Sequence, residues 1–193
     1  MPLAGPPSRP PGFLDSVVPL HDASFHPAGV AVAQIVTLPG QVVLSLILVL
    51  VAARRLWTGG RVEAAVCWPA TWLLGVAVEL VFRHTLSRPP LYRHGVHLTA
   101  LDMSWPSGHA LRSALVAAAL AAAWPRLRIP LAVWLVAAVV LLAGFHTPTD
   151  VAGGLLLATA AAAGAAAVER SALLGRGAAL RRRAALGRTR PGP

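Results

Sequence analysis

Lysine is missing from this chain, and all 17 of its basic residues are arginine. Genomic base composition alone produces such a bias, so the absence says nothing about chemistry. Cysteine occurs once, at Cys67, inside an apolar run. That excludes a disulfide framework and a cysteine-based zinc cluster, and leaves Cys67 as a packing residue. Charge of either sign is scarce: 12% of residues are charged and 56% are hydrophobic, too apolar for an ordinary soluble domain. Strand-like alternation is also lacking, because the apolar runs are continuous. The net charge of +10 invites a nucleic-acid reading, but its placement argues against one. Seven arginines follow Val168, and five more lie in "RRLWTGGR" and "PRLR", short stretches flanking apolar runs. Cytoplasmic membrane loops have that pattern, so the expected partner is a membrane and not a nucleic acid.

Five apolar segments, at about 35–53, 63–82, 107–124, 130–145 and 151–168, come close to the roughly 20 residues that cross a bilayer core. The expected fold is therefore all-α, a polytopic membrane helical bundle of about five transmembrane helices. The Pro-rich start and the patchy apolar stretch after it form a disordered or interfacial N-terminal segment over 1–34. That stretch lacks the basic start and clean apolar centre of a signal peptide. The transmembrane domain covers 35–168, and 169–193 is a basic tail. Placing Arg54, Arg55 and Arg61 inside puts Arg126, Arg128 and the arginine-rich C-terminus inside as well. The N-terminus, the loop 83–106 and the stretch 146–150 then face outward, in a multi-pass protein of the cell membrane. Arg83, Arg88 and Arg93 sit in that outer loop against the charge rule, and an anionic ligand gives them a reason.

Three polar stretches reach this outer face: "FRHTLSRPP", "PSGH" and "HTPTD". Pro106 suits a helix start. Ser107 and Gly108 would present amides at the helix N-terminus, where partial positive charge binds phosphate-like anions. His109, in the same turn, could transfer a proton. Arg112 lies four residues after Gly108, on a nearby helix face. Arg83 and Arg88 are planar, permanently charged donors for phosphate oxygens. His146 and Asp150 are four residues apart. A carboxylate on one imidazole nitrogen fixes the tautomer and frees the other as a nucleophile, and Asp150 could also cap the last span. Two histidines and a carboxylate beside arginines amount to a phosphoryl-transfer site.

"PSGH" at 106–109, followed by "GFHTPTD", resembles the integral-membrane type 2 phosphatidic acid phosphatases, lipid phosphate phosphatases that share a helical core with vanadium haloperoxidases. The resemblance covers roughly 63–154. The family's second motif, Pro-Ser-Gly-His, is complete. The His-x3-Asp half of the third is present at His146 and Asp150. The first motif's lysine position is Val81, with Arg83 as stand-in ahead of Arg88, and the third motif's arginine position is Val140, with Arg112 as replacement. The resemblance implies metal-free hydrolysis without a cofactor. His146 attacks phosphorus, Asp150 orients it, and His109 protonates the leaving oxygen. Arg83, Arg88, Ser107, Gly108 and Arg112 hold the phosphate. It implies a lipid phosphate or diphosphate as substrate, a polyprenyl carrier ahead of phosphatidic acid, acted on at the extracytoplasmic face. The alternatives are a phosphotransferase on the same fold and a catalytically silent lipid-binding membrane protein. The competing readings have Arg112 snorkelling or paired with Glu79 or Asp102, and Glu79 either bridged to Arg83 or acting directly on the substrate.

Overall fold

The computed structural model describes residues 27–85, 92–93, 96–97, 105–143 and 146–188. Among the described residues, the protein is all-helical apart from one two-residue β pairing. Helix α1 (Pro27–Thr37) ends in a 3₁₀ turn at Leu38–Gly40 and is followed by α2 (Val42–Thr58), α3 (Val62–Thr85), α4 (Gly108–Ala123), α5 (Arg128–Leu142) and α6 (Pro148–Arg188). Between α3 and α4, β1 (Tyr92–Arg93) pairs antiparallel with β2 (Val96–His97), Tyr92 opposite His97.

Helix α4 is the axis of the bundle. Half of its residues are alanine, with a few larger apolar residues among them, which lets neighbours approach closely. Ten of its residues are buried, among them Leu111, Leu115, Val116 and Ala119. Val49, Ala52 and Leu56 of α2, Trp68 and Trp72 of α3, and Ala158 and Ala165 of α6 pack on it in one cluster. Ser45 and the Trp72 indole, buried in this cluster, are paired, as burial demands. Trp72 Nε1 donates to Ser45 Oγ at 3.1 Å, and Ser45 Oγ donates to the Val42 carbonyl at 2.9 Å.

The outward surfaces are apolar instead of polar. Val43 on α2, Leu74 on α3, Val133 on α5 and Leu156 on α6 are all exposed. A helix that is hydrophobic on both its packed and its outer side belongs in lipid. Helices long and apolar enough to cross a membrane are Val62–Phe82, Pro125–Leu142 and Pro148–Ala178. The stretch Ala31–Gly40 with Val42–Thr58 makes a fourth if the pair, bent by 50°, is one broken span. Gly108–Ala123 is apolar but short.

Each expected apolar segment coincides with a helix, but two differ in extent. The segment placed at 35–53 is interrupted by Leu38-Pro39-Gly40, and its helix restarts at Val42 and runs to Thr58. Proline and glycine in succession are a breaker signal. The segment placed at 151–168 begins earlier, at Pro148, and continues to Arg188 with no break at residue 169, because its alanine and arginine residues are good helix formers. Of the N-terminal segment, residues 1–26 lie outside the described residues and 27–34 belong to α1.

Side-chain contacts fix the directions of the helices. Arg61 at the start of α3 donates through Nη1 to the Ala122 carbonyl near the end of α4 (2.6 Å) and through Nε to Glu169 of α6 (2.6 Å). Arg176 of α6 donates to Glu63 Oε1 (2.6 Å) and to the Gly60 carbonyl (3.0 Å). At the other end, α3 meets the start of α4 through Glu79 and Arg112. Helix α3 thus runs antiparallel to α4, and α6 parallel to it. The bundle has two polar ends separated by about 24 Å, the rise of α4 at 1.5 Å per residue.

The break at Gly40 is a close fit. A Cβ there would come within 2.6 Å of Ser113 Oγ and 2.8 Å of the His109 carbonyl oxygen. Gly175, in contrast, has nothing within 4 Å of its Cβ position. Gly40→Ala should therefore lower the melting temperature in detergent, with an overpacking cost of about 1–3 kcal/mol. Gly175→Ala should not lower it. Differential scanning fluorimetry of both variants checks this.

Candidate active site

The first polar end gathers around the start of α4. Ser107 has extended backbone angles (φ −65°, ψ 108°) and is the N-cap, its Oγ accepting from the Ala110 amide at 3.4 Å. Pro106 and Ser107 are fully buried. Trp105, just before them, meets Phe82 of α3 edge-on at a centroid distance of 5.2 Å. On its other side lies Gly153 of α6, where a Cβ would come 2.6 Å from Trp105 Nε1. The helix start is thereby wedged between α3 and α6.

The decisive contact is between backbones. The Ser107 amide donates to the Asp150 carbonyl at 2.9 Å. Next to it, a Cβ on Gly154 would collide with the Ser107 carbonyl oxygen, so only glycine allows the approach. "PSGH" and "HTPTD" are thus side by side, although some 40 residues separate Ser107 from His146.

The start of α6 is a reciprocal cap. Thr147 Oγ1 accepts from the Asp150 amide at 3.3 Å, and Asp150 Oδ2 accepts from the Thr147 amide at 3.2 Å. Pro148 occupies the first helical position, where a missing N–H costs nothing. This is the capping-box arrangement, with aspartate in the glutamate place. Asp150 therefore does cap the helix, but from inside its first turn; the N-cap is Thr147. "TPTD" carries the Thr-x-x-acid spacing that signals it.

His146 is buried, and its amide donates to the Leu142 carbonyl at 2.8 Å, continuing from the end of α5. Its Nδ1 lies 3.9 Å from Asp150 Oδ2. That is ion-pair range and longer than a hydrogen bond. Nδ1 has no hydrogen-bond partner among the described residues. Asp150 is fully buried, so its carboxylate is held within reach of the ring and shared with the Thr147 amide. His109 is the second residue of α4 and half-buried. Both histidines fall within one helical turn of the Ser107–Asp150 hydrogen bond.

Arg112 is 5% exposed and is pinned from two sides. Nε donates to the Gly40 carbonyl at 2.7 Å, and Nη1 to Glu79 Oε2 at 2.5 Å. Glu79 itself is 3% exposed. Of the partners that sequence allowed, Arg112 pairs with Glu79. Gly108 makes room for this pair: a Cβ there would be 2.6 Å from Arg112 Nη1 and would collide with Glu79 Oε1. The guanidinium thus stands beside the helix start, with Glu79 balancing its charge. Arg83 lies in the last turn of α3, four residues after Glu79, and is described by its backbone. Arg88 and Asp102 lie outside the described residues. Among the described residues, no three His, Cys, Asp or Glu side chains cluster as a metal site.

The structure therefore brings together Ser107, Gly108, His109, Arg112, His146 and Asp150. Gly40, Gly153, Gly154, Trp105 and Thr147 join them as residues that sequence reasoning did not single out. Chemically, the site offers the Gly108 amide at a helix start for an anion, a buried imidazole with a carboxylate behind it, and a second imidazole in the adjacent turn; the Ser107 amide, expected to meet the phosphate, is instead spent on the Asp150 carbonyl.

Residues 83–172 match the family model of the PAP2 superfamily. No curated protein and no solved structure matches the chain. The matched region takes in α4, α5 and the first part of α6, and so both histidine-bearing stretches.

Breaking the buried pair should be costly. Glu79→Ala leaves a guanidinium uncompensated, a loss of about 3–5 kcal/mol. The apolar double variant Glu79→Leu/Arg112→Met should recover much of that stability, since paired burial also carries a desolvation cost. Thermal unfolding of the single and double variants in one detergent checks both outcomes.

Proposed function

The chain belongs to the PAP2 superfamily, consistent with a type 2 phosphatidic acid phosphatase family member, and from that premise we propose a metal-independent lipid phosphate phosphatase working through a phosphohistidine. Phosphatase activity on lipid phosphates is what the family suggests; the residue roles, the substrate tail and the membrane side are our reading. The Ser107–Asp150 hydrogen bond is the observation that carries it, because it sets the anion-binding helix start against the His146 turn.

In this reading the phosphate sits at the start of α4 on the Gly108 amide, where the helix dipole favours negative charge; the Ser107 amide is committed to the Asp150 carbonyl, so Ser107 positions the helix start. Asp150 faces Nδ1 of His146, which keeps the proton on that nitrogen and leaves Nε2 with its lone pair. Nε2 attacks phosphorus in line with the ester bond. The phosphorus–oxygen bond to the lipid breaks, and His109 gives its proton to the departing oxygen. The 3.9 Å separation closes as positive charge builds on the His146 ring, since catalytic hydrogen bonds often tighten only with substrate bound. Water then attacks phosphorus while passing a proton to His109; the new oxygen–phosphorus bond forms as the phosphorus–Nε2 bond breaks, which releases inorganic phosphate and restores the enzyme.

Arg83 and Arg88 supply net positive charge for the equatorial oxygens. Arg112 acts beside them, held by Gly40 and Glu79, so that its contribution is a fixed set of N–H dipoles more than a free charge. The apolar outer faces suit a substrate whose tail stays in lipid, such as a polyprenyl phosphate or diphosphate or phosphatidic acid. The arginine bias puts this end on the extracytoplasmic side. A polyprenyl carrier is preferred because an outward-facing site would return it to use.

His146→Ala and His109→Ala should each abolish phosphate release from lipid phosphates, while both proteins keep the melting temperature of the parent within a few degrees. Chelator should leave the parent's rate unchanged. Phosphate-release assays across polyprenyl phosphate, polyprenyl diphosphate and phosphatidic acid test the proposal. Undiminished turnover in His146→Ala would overturn it.

A further inference from the structure

The opposite end of the bundle holds a cavity of about 350 Å³, within the range of roughly 300–1,000 Å³ common for small-molecule sites. Arg61, Arg128, Arg170, Glu169 and the buried Trp68 line it, with alanines of α4 and α6 as side walls. Its charge is unbalanced. Arg61 is committed to Glu169 and to the Ala122 carbonyl, which also satisfies one of the open carbonyls at the end of α4. Arg128 and Arg170 are exposed and make no ion pair or side-chain hydrogen bond among the described residues. Arg128 opens α5, whose N-terminal partial charge is positive as well. Two unpaired guanidinium groups therefore border one cavity with an indole floor and apolar walls.

We infer that this cavity binds the phosphodiester headgroup of an anionic lipid, apart from the histidine site. Guanidinium forks suit phosphate oxygens, and Arg61, already neutralised by Glu169, fixes the back of the cavity without adding net charge. The alanine walls continue along α4 and α6 toward the middle of the bundle, which offers the first methylenes of a lipid tail an apolar surface. A soluble phosphate would leave that surface unused. The inference does not depend on catalysis at the other end.

Native mass spectrometry of the detergent-solubilised protein with equimolar phosphatidylglycerol and phosphatidylcholine tests it. The parent should retain phosphatidylglycerol preferentially. Arg128→Gln/Arg170→Gln should lose that preference by about ten-fold, given the attraction each arginine exerts on anionic lipid. Arg54→Gln/Arg55→Gln removes the same charge outside the cavity and should keep the preference. An unchanged melting temperature shows that each variant is folded. Equal loss in both double variants, or no preference in the parent, would overturn the site. Displacement of the lipid by glycerol 3-phosphate at the same concentration would overturn the lipid assignment in favour of a soluble anion.

Discussion

One hydrogen bond holds the candidate site together: the Ser107 amide to the Asp150 carbonyl. It joins the starts of two parallel helices, α4 and α6, and forms only because Gly154 has no side chain. Both histidines and the Asp150 carboxylate lie within about a turn of it. The capping box of Thr147 and Asp150 fixes the carboxylate. Ser107 caps α4, its Oγ accepting from the Ala110 amide. Trp105 packs against Phe82 and Gly153 just before the start of α4.

A second constraint supports the first. In a bundle whose outer faces are apolar, a buried ion pair has no water to relax into. Glu79 and Arg112 therefore lock α3 to α4, and the Gly40 carbonyl draws the break between α1 and α2 into the same lock. The arrangement places a guanidinium beside the anion end of α4 while cancelling its net charge. Opposite it, Arg61–Glu169 and Arg176–Glu63 fasten α6 to the start of α3. Polar contacts thus sit at the ends of the bundle, and the middle relies on alanine-mediated packing around α4.

The chemistry was more legible in the sequence than the supports were. Pro106 to His109, and His146 with Asp150, announced themselves because polar residues at fixed spacing interrupt apolar runs. The bundle was legible because continuous apolar stretches leave few other folds. The residues that position the site were not. Gly40 touches Arg112 from 72 positions away, and no local pattern connects them. Gly153 and Gly154 looked like ordinary members of a small-residue helix. The far end of α6 was obscured because hydropathy stops at the membrane while helix propensity continues into the arginine-rich tail. Two features were there to be read: Leu38-Pro39-Gly40 as a break, and Thr147-Pro148-Thr149-Asp150 as a capping box.

The central claim is that His146 takes the phosphoryl group while Asp150 and the start of α4 hold it in place. Rapid alkaline quenching of the protein during turnover of a radiolabelled lipid phosphate, followed by peptide mapping, measures this directly. The account predicts an acid-labile, base-stable label on His146. Label on any other residue, or none while phosphate is still being released, would contradict it.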